Sequence, residues 1–393
     1  MKPERTKESK RQKKELTGNK FLLTEYYLSK KYDFRRNLLS MDIEFSPKGK
    51  NTYQSVNENS FYRELQKTQH GIPINVLVSL FRSDFVPEYD PISNFFKKLK
   101  WDGEKHIDTL AGYVKAVEIA EWKKHFKKQL VRTVACALDP KYFNKQALIL
   151  IHEVQNSGKS TFMRFLCPPE LYEYIAEDVT TDKDSRILLV KNFMINLDEL
   201  DKLNKKEIAA VKSFMSKDQI NERLPYDRKN SILKRRASFF GSTNNYELLD
   251  DPTGSVRWLC FEITSIDFSY RELVDINQVW AEAYSLYLSG EFEFDLTKEE
   301  IRQNDLRNKN FQILSVERQL IEKLFEPAPA KILKYFLTAT DVLQKLIGLS
   351  NIGNRLNVVN VGKALNILGF PKGQETSSRI KGYYLKLKDF DDE

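Results

Sequence analysis

A chain of 393 residues that is 41 % hydrophobic and 12 % aromatic carries enough apolar surface for two or three folded domains, which excludes a disordered protein. No run of 18 apolar residues occurs, which excludes a bilayer-spanning helix, and three scattered cysteines (Cys136, Cys167, Cys260) exclude a disulfide scaffold and read as reduced packing residues. The net charge of +8 is concentrated at the two ends, with eight Lys/Arg against three Asp/Glu in residues 1–20 and ten against two in residues 331–388; that distribution points to a polyanionic partner, most simply nucleic acid.

Residues 1–20 are polar and basic without apolar periodicity, so a disordered tail is expected there. With no apolar h-region at the start, no secretory signal is expected, and a cytoplasmic protein without membrane contact follows. Residues 21–90 read as a small N-terminal domain, with Phe21–Lys30 a helix or strand, Ile43–Phe45 a strand and Val76–Phe81 a helix. Residues 91–140 read as a helical platform, because Phe95, Phe96, Leu99, Ile107, Leu110, Val114, Val117, Phe126, Leu130 and Val134 recur at helical spacing. Trp101-Asp102-Gly103 is a turn within it.

Residues 141–265 carry the chemistry. The apolar run Ala147–Ile151 reads as a buried strand that enters a polar turn and then Gly158-Lys159-Ser160-Thr161 at the start of a helix. This is the outline of a P-loop. Backbone N–H groups of Gln155, Asn156, Ser157, Gly158, Lys159, Ser160 and Thr161 would cradle the phosphates of ATP, Lys159 would neutralise the β/γ oxygens, and the Ser160 hydroxyl would ligate Mg²⁺. The pattern G-x-x-x-x-G-K-[ST] puts its first glycine where this chain has Glu153, which leaves open whether hydrolysis is retained. A second strand, Phe193–Leu197, ends in Asp198-Glu199 and suits a Walker B strand, with Asp198 on the Mg²⁺ shell and Glu199 orienting or deprotonating the attacking water. Residues 204–217 follow as an amphipathic helix. Ile220–Leu233 reads as a basic hairpin bearing Arg223, Arg228 and Lys229, and Arg235–Asn245 as a buried strand with a polar tip, where Asn244 would sense the γ-phosphate. Arg257 adjoins a further apolar strand.

Residues 266–326 read as a helical extension closed by a linker, Glu326-Pro327-Ala328-Pro329. In residues 331–393, a helix from Thr340, a second over Asn360–Leu368 that ends at Gly369, and a strand Gly382–Leu387 predict a winged-helix-like domain. Lys363, off the apolar face of the second helix, and Lys381 are its candidate DNA contacts, although such domains also dock proteins.

Taken together, Trp101-Asp102-Gly103, Gly158-Lys159-Ser160-Thr161, Asp198-Glu199-Leu200, Val211-Lys212-Ser213-Phe214-Met215-Ser216, Pro225-Tyr226, Ser242-Thr243-Asn244 and Asp251-Pro252-Thr253-Gly254-Ser255-Val256-Arg257-Trp258 resemble the virulence-associated protein E family. That family is similar to superfamily 3 helicases of plasmids, phages and DNA viruses. The resemblance implies an α/β fold built on an AAA+-like ATPase core. It implies a homo-oligomeric ring, usually a hexamer, that hydrolyses ATP with Mg²⁺ and drives single-stranded DNA through a central channel during replication of a mobile element. It makes Lys159, Asp198, Glu199 and Asn244 catalytic, Arg257 a finger reaching the neighbouring subunit's ATP, and the hairpin with Arg223, Arg228 and Lys229 the DNA contact. Duplex origin DNA and a separate primase are the further partners it implies. The alternative is a nucleotide-gated DNA-binding or loader protein without unwinding activity; a P-loop kinase fits less well, since nothing resembles a phosphoacceptor lid.

Overall fold

The apolar residues collect into four clusters, one towards each end of the chain and two on opposite faces of a central sheet. The computed structural model describes residues 19–177, 184–198, 200, 205–222, 230–249, 256–312, 315–349, 356–374 and 379–388; the expected disordered tail, up to residue 18, lies outside them.

The helix Lys20–Lys31 begins at Asn19, whose side-chain oxygen accepts from Phe21 N and so satisfies one of the unpaired first-turn amides. It runs into β1 (Tyr32–Asn37), which pairs antiparallel with β2 (Ile43–Pro47); β2 pairs with β3 (Gln54–Ser55), and β4 (Glu88–Tyr89) lies parallel on the other side of β1. Phe61 and Leu65 of the helix Glu58–Gln66, with Leu77, Leu80 and Phe81 of the helix Ile74–Phe81, share one core with Phe34 of this sheet.

The central sheet follows from β5 (Val114–Ala116), β6 (Ala147–Ile151), β7 (Ile175–Glu177) and β8 (Met194–Leu197). The hairpin β9 (Gln219–Glu222) and β10 (Ser231–Lys234) forms its own two-stranded sheet, and β11 (Ser238–Thr243) and β12 (Trp258–Ile266) complete the central one. Its spatial order is β5-β12-β6-β11-β8-β7, parallel throughout except for β5 at one edge. Every residue of β6 is buried, as a parallel strand covered on both faces must be. Its side chains alternate between two cores. Leu148 and Leu150 face Phe162 and Met163 of the helix Lys159–Phe165, while Ala147, Ile149 and Ile151 share the opposite core with Val211, Phe214 and Met215 of the helix Lys205–Met215. The result is a mixed α/β structure with helices on both faces of the sheet.

Two expectations are corrected. Val114 was expected in a helix; the helix His106–Gly112 stops before it, and Val114, fully buried, opens the antiparallel edge strand β5, where its β-branched side chain packs well. The expected linker at 326–329 begins inside a strand. β13 (Phe325–Pro327) pairs with the last strand, and Pro327 is tolerated because β13 is an edge. With β14 (Phe336–Leu337), β15 (Lys372–Gln374) and β16 (Lys381–Leu387), this sheet is covered by the helices Val316–Leu324, Ala339–Leu349 and Val358–Ile367 through Ile321, Val342, Leu346, Val361 and Leu365. The three cysteines are free and buried, as expected. Among the described residues no helix is long and apolar enough to cross a membrane.

One buried group makes the core sensitive to acid. His125 is fully buried on the helix Ile119–Leu138 with neither ring nitrogen hydrogen-bonded, and Glu121 approaches its Nε2 only at 3.4 Å. Burial first, then the neighbouring Arg307, Arg132 and Lys124, push its pKa from 6.5 down to about 3. The folded protein therefore keeps His125 neutral while the unfolded chain takes up a proton below its own pKa. The stability this group contributes is complete above pH 6.5 and is lost as the pH falls toward 3. In urea titrations between about pH 6 and pH 4, unfolding free energy should fall about 1.4 kcal/mol per pH unit more steeply in wild type than in His125→Phe. Parallel pH slopes in the two proteins would remove His125 as the cause.

Candidate functional site

Ligands of open parallel sheets bind outside the carboxyl ends of the strands, and here β6, β8, β11 and β12 all end around one cavity of about 470 Å³. Its floor is the turn between β6 and the helix Lys159–Phe165. The left-handed positions of that turn are Asn156 (φ 57°) and Gly158 (φ 87°). Asn tolerates this conformation and Gly adopts it freely; Glu153 is not in the left-handed region, so a side chain there brings no backbone strain. A Cβ at Gly158 would also lie 2.5 Å from Cε1 of Phe268, so any side chain there would have to displace that ring.

Lys159 is 5 % exposed. Its ammonium donates to His152 O (3.1 Å), Val154 O (3.2 Å), Ser157 Oγ (2.9 Å) and Asn244 Oδ1 (2.8 Å), which fixes it between the turn and the end of β11. Beside it three oxygens meet. Ser160 Oγ donates to Asp198 Oδ1 at 2.5 Å, Ser242 Oγ donates to the same carboxylate oxygen at 2.8 Å, and the two hydroxyls are 3.0 Å apart. A carboxylate and a hydroxyl are hard donors of the kind Mg²⁺ takes, so Ser160 and Asp198 are residues that would fit one, with Ser242 orienting the carboxylate. The other carboxylate oxygen, Oδ2, accepts from Arg164 Nη2 at 2.9 Å. Arg164 stands one turn after Ser160 on the same helix face and also forms a two-pronged pair with Glu177 at 2.7 and 3.1 Å; Glu177 in turn accepts from Asn196 Nδ2. The hydrogen bonds that Arg164 donates to Glu177, then the charges of Glu177 and Asp198, raise the guanidinium pKa above its ordinary value.

The structure thus brings together residues 155–161, Asp198 and Asn244. Glu199, Arg223, Arg228 and Lys229 lie outside the described residues. Arg257 is elsewhere: its carbonyl accepts from Ala147 N (2.7 Å), its Nε donates to Ser216 Oγ (2.9 Å), and it precedes the Trp258–Ala147 pair. That is the amino end of both strands, roughly 16 Å from the cavity at about 3.3 Å per residue. Lys363 and Lys381 are exposed on the C-terminal unit and do not line the cavity. Sequence reasoning missed Arg164, Thr243, Phe268 and Arg271 in the cavity wall and gave Ser242 no role. Arg164 was signalled by its i+4 spacing from Ser160 and Ser242 by its i−2 spacing from Asn244. Phe268 and Arg271 carry no such signal.

Residues 96–313, more than half of the chain, match the virulence-associated protein E-like domain. The chain belongs to that family. In this virulence-associated protein E-like protein, Lys159, Asp198, Asn244 and Arg257 fall inside the matched stretch and Lys363 and Lys381 beyond it. No curated protein matches the chain. Among solved structures, the A form apo structure of the NrS-1 C-terminal region (305–718) is similar with a TM-score of 0.49 and 12 % identity over 93 % of this chain and 100 % of that one. A second apo structure of the same region has a TM-score of 0.48 and 13 % identity over 94 % and 100 %.

Proposed function

We propose that this protein is a P-loop ATPase of the AAA+-like, superfamily 3 helicase type, which couples ATP hydrolysis to movement along DNA in replication of a mobile genetic element. The observation that carries the proposal is the convergence of the Lys159 ammonium, the Ser160–Asp198–Ser242 oxygens and Asn244 in one cavity at the carboxyl ends of three parallel strands. In this reading Lys159 exchanges its turn carbonyls for the β/γ oxygens of ATP, and Asn244, already hydrogen-bonded to Lys159, faces the γ-phosphate. Ser160 and Asp198 hold Mg²⁺, which when bound neutralises the charge that develops on the phosphates. Glu199, next in sequence to Asp198, is the base for the attacking water.

The position of Arg257 supports an oligomer. It stands at the far end of the sheet from its own cavity, so the ATP it serves is that of a neighbouring copy in a ring, hexameric if the chain follows the family. The β9–β10 pair, between whose strands the sequence carries Arg223, Arg228 and Lys229, is suited to single-stranded DNA in the channel. A C-terminal unit of helices flanked by a strand, with Lys363 and Lys381 exposed, is suited as a winged helix to duplex DNA at an origin. A separate primase completes the proposed replication assembly.

Steady-state ATPase activity with and without single-stranded DNA tests the proposal. Wild type should be stimulated by DNA several-fold, and Lys159→Ala and Glu199→Gln should each abolish the activity. Slow hydrolysis indifferent to DNA would replace the translocase with a nucleotide-gated loader, and no ATP binding at all would overturn the site.

A further inference from the structure

The cavity has one wall that the phosphate chemistry does not use. Among the described residues Phe268 is the only aromatic side chain lining it, 45 % exposed, and the far edge of its ring rests on Gly158. Arg271 lines the same wall, with its guanidinium carbon 5.1 Å from the Phe268 centroid and 5.9 Å from that of Tyr270; among the described residues it forms no ion pair.

The segment carrying both is rigid. Asp267 N donates to Tyr113 O, the Asp267 carboxylate accepts from the backbone and the hydroxyl of Ser269, and Tyr270 is fully buried against Phe162 and Phe165. An exposed ring held on such a support, at the lip of a polar cavity, costs apolar surface in water and little entropy to order on binding. A nucleoside triphosphate presents a planar base to match it, whereas inorganic polyphosphate does not.

We infer that Phe268 and Arg271 form the nucleoside-recognition wall of this site, with Phe268 packing against the base and ribose and Arg271 donating to phosphate or ribose oxygens. The inference rests on the ATP-site reading above. Phe268 is a binding determinant here and takes no part in bond breaking.

The test compares the affinity of the full chain for ATP and for inorganic tripolyphosphate, each with Mg²⁺, in wild type, Phe268→Ala, Phe268→Tyr and Arg271→Gln. Phe268→Ala should lower the preference for ATP over tripolyphosphate on the order of tenfold, with tripolyphosphate affinity held within about twofold, the scale of base–aromatic stacking. Phe268→Tyr should retain the wild-type ratio, and Arg271→Gln should weaken ATP, with tripolyphosphate weakened alongside it where the guanidinium serves phosphate and spared where it serves ribose. An unchanged ratio in Phe268→Ala, or equal weakening of both ligands by it, would overturn the wall and leave Phe268 as packing for the Gly158 turn; unchanged binding in Arg271→Gln would remove Arg271 from the wall. Wild type binding neither ligand would instead overturn the ATP site itself.

Discussion

Arg257→Ala should slow ATP turnover by on the order of 10³ to 10⁵ while leaving ATP affinity nearly unchanged, the effect expected of a finger that stabilises charge only in the transition state. The size follows from position. Arg257 stands before β12, next to Ala147 at the start of β6, while the Lys159 ammonium sits beyond the other end of β6. Its partner is the Ser216 hydroxyl, a neutral group that holds the side chain at the surface at no great electrostatic cost to release. An arginine so placed is remote from its own cavity, which is what the proposed action in trans requires. The decisive experiment mixes two inactive proteins: Arg257→Ala, whose Lys159 site is intact, and Lys159→Ala, whose finger is intact. In the proposed ring, mixed assemblies would contain interfaces that pair one intact site with one intact finger, so activity should return on mixing. Co-assembled chains that stay inactive would overturn action in trans, and an Arg257→Ala protein with normal turnover would take Arg257 out of the chemistry.

What the sequence made legible, and what it did not, follows from how each feature is encoded. Lys159, Ser160, Asp198 and Asn244 were readable because each follows an apolar strand, and parallel strands with polar carboxyl ends bring such residues to one edge whatever the exact turn geometry. The effect of Glu153 was not readable, since it depends on which turn residues adopt positive φ, and those are Asn156 and Gly158. Val114 went wrong because apolar residues around one short β-branched segment fit helical spacing by coincidence, and only the pairing with β12 decides the matter. Pro327 signalled a linker, but proline forbids only the interior of a sheet, and β13 is an edge. Phe268 and Arg271 were invisible for another reason. They reach the cavity from a turn 110 residues after Gly158 whose direction is set by the burial of Tyr270, a tertiary contact with no local pattern.

Asp198→Ala should lower turnover on the order of 10³-fold and raise the Mg²⁺ concentration needed for half-maximal activity more than tenfold, because the Mg²⁺ that Asp198 is proposed to hold would supply several kcal/mol of charge stabilisation. Three contacts single out this carboxylate. Its Oδ1 gathers the Ser160 and Ser242 hydroxyls, and its Oδ2 is held by Arg164, so the carboxylate that would hold the metal is oriented from both sides. The loss should not be one of folding. The Arg164–Asp198 pair is partly exposed, with side chains 38 % and 20 % accessible, and such pairs contribute about 0–1 kcal/mol. Arg164 keeps its two-pronged pair with Glu177 when Asp198 is gone. Melting temperature should therefore stay within a few degrees of wild type. Binding of ATP without Mg²⁺, which depends on Lys159, should persist. Ser242→Ala removes one of the two hydroxyls at Oδ1 and leaves the carboxylate, so its cost should be about 10- to 100-fold, the scale of a group that orients a metal ligand. Combined with Asp198→Ala it should add little, since the carboxylate it orients is then absent. Full additivity of the two would mean that Ser242 acts independently of Asp198, and Mg²⁺ dependence unchanged in Asp198→Ala would assign the metal to other oxygens.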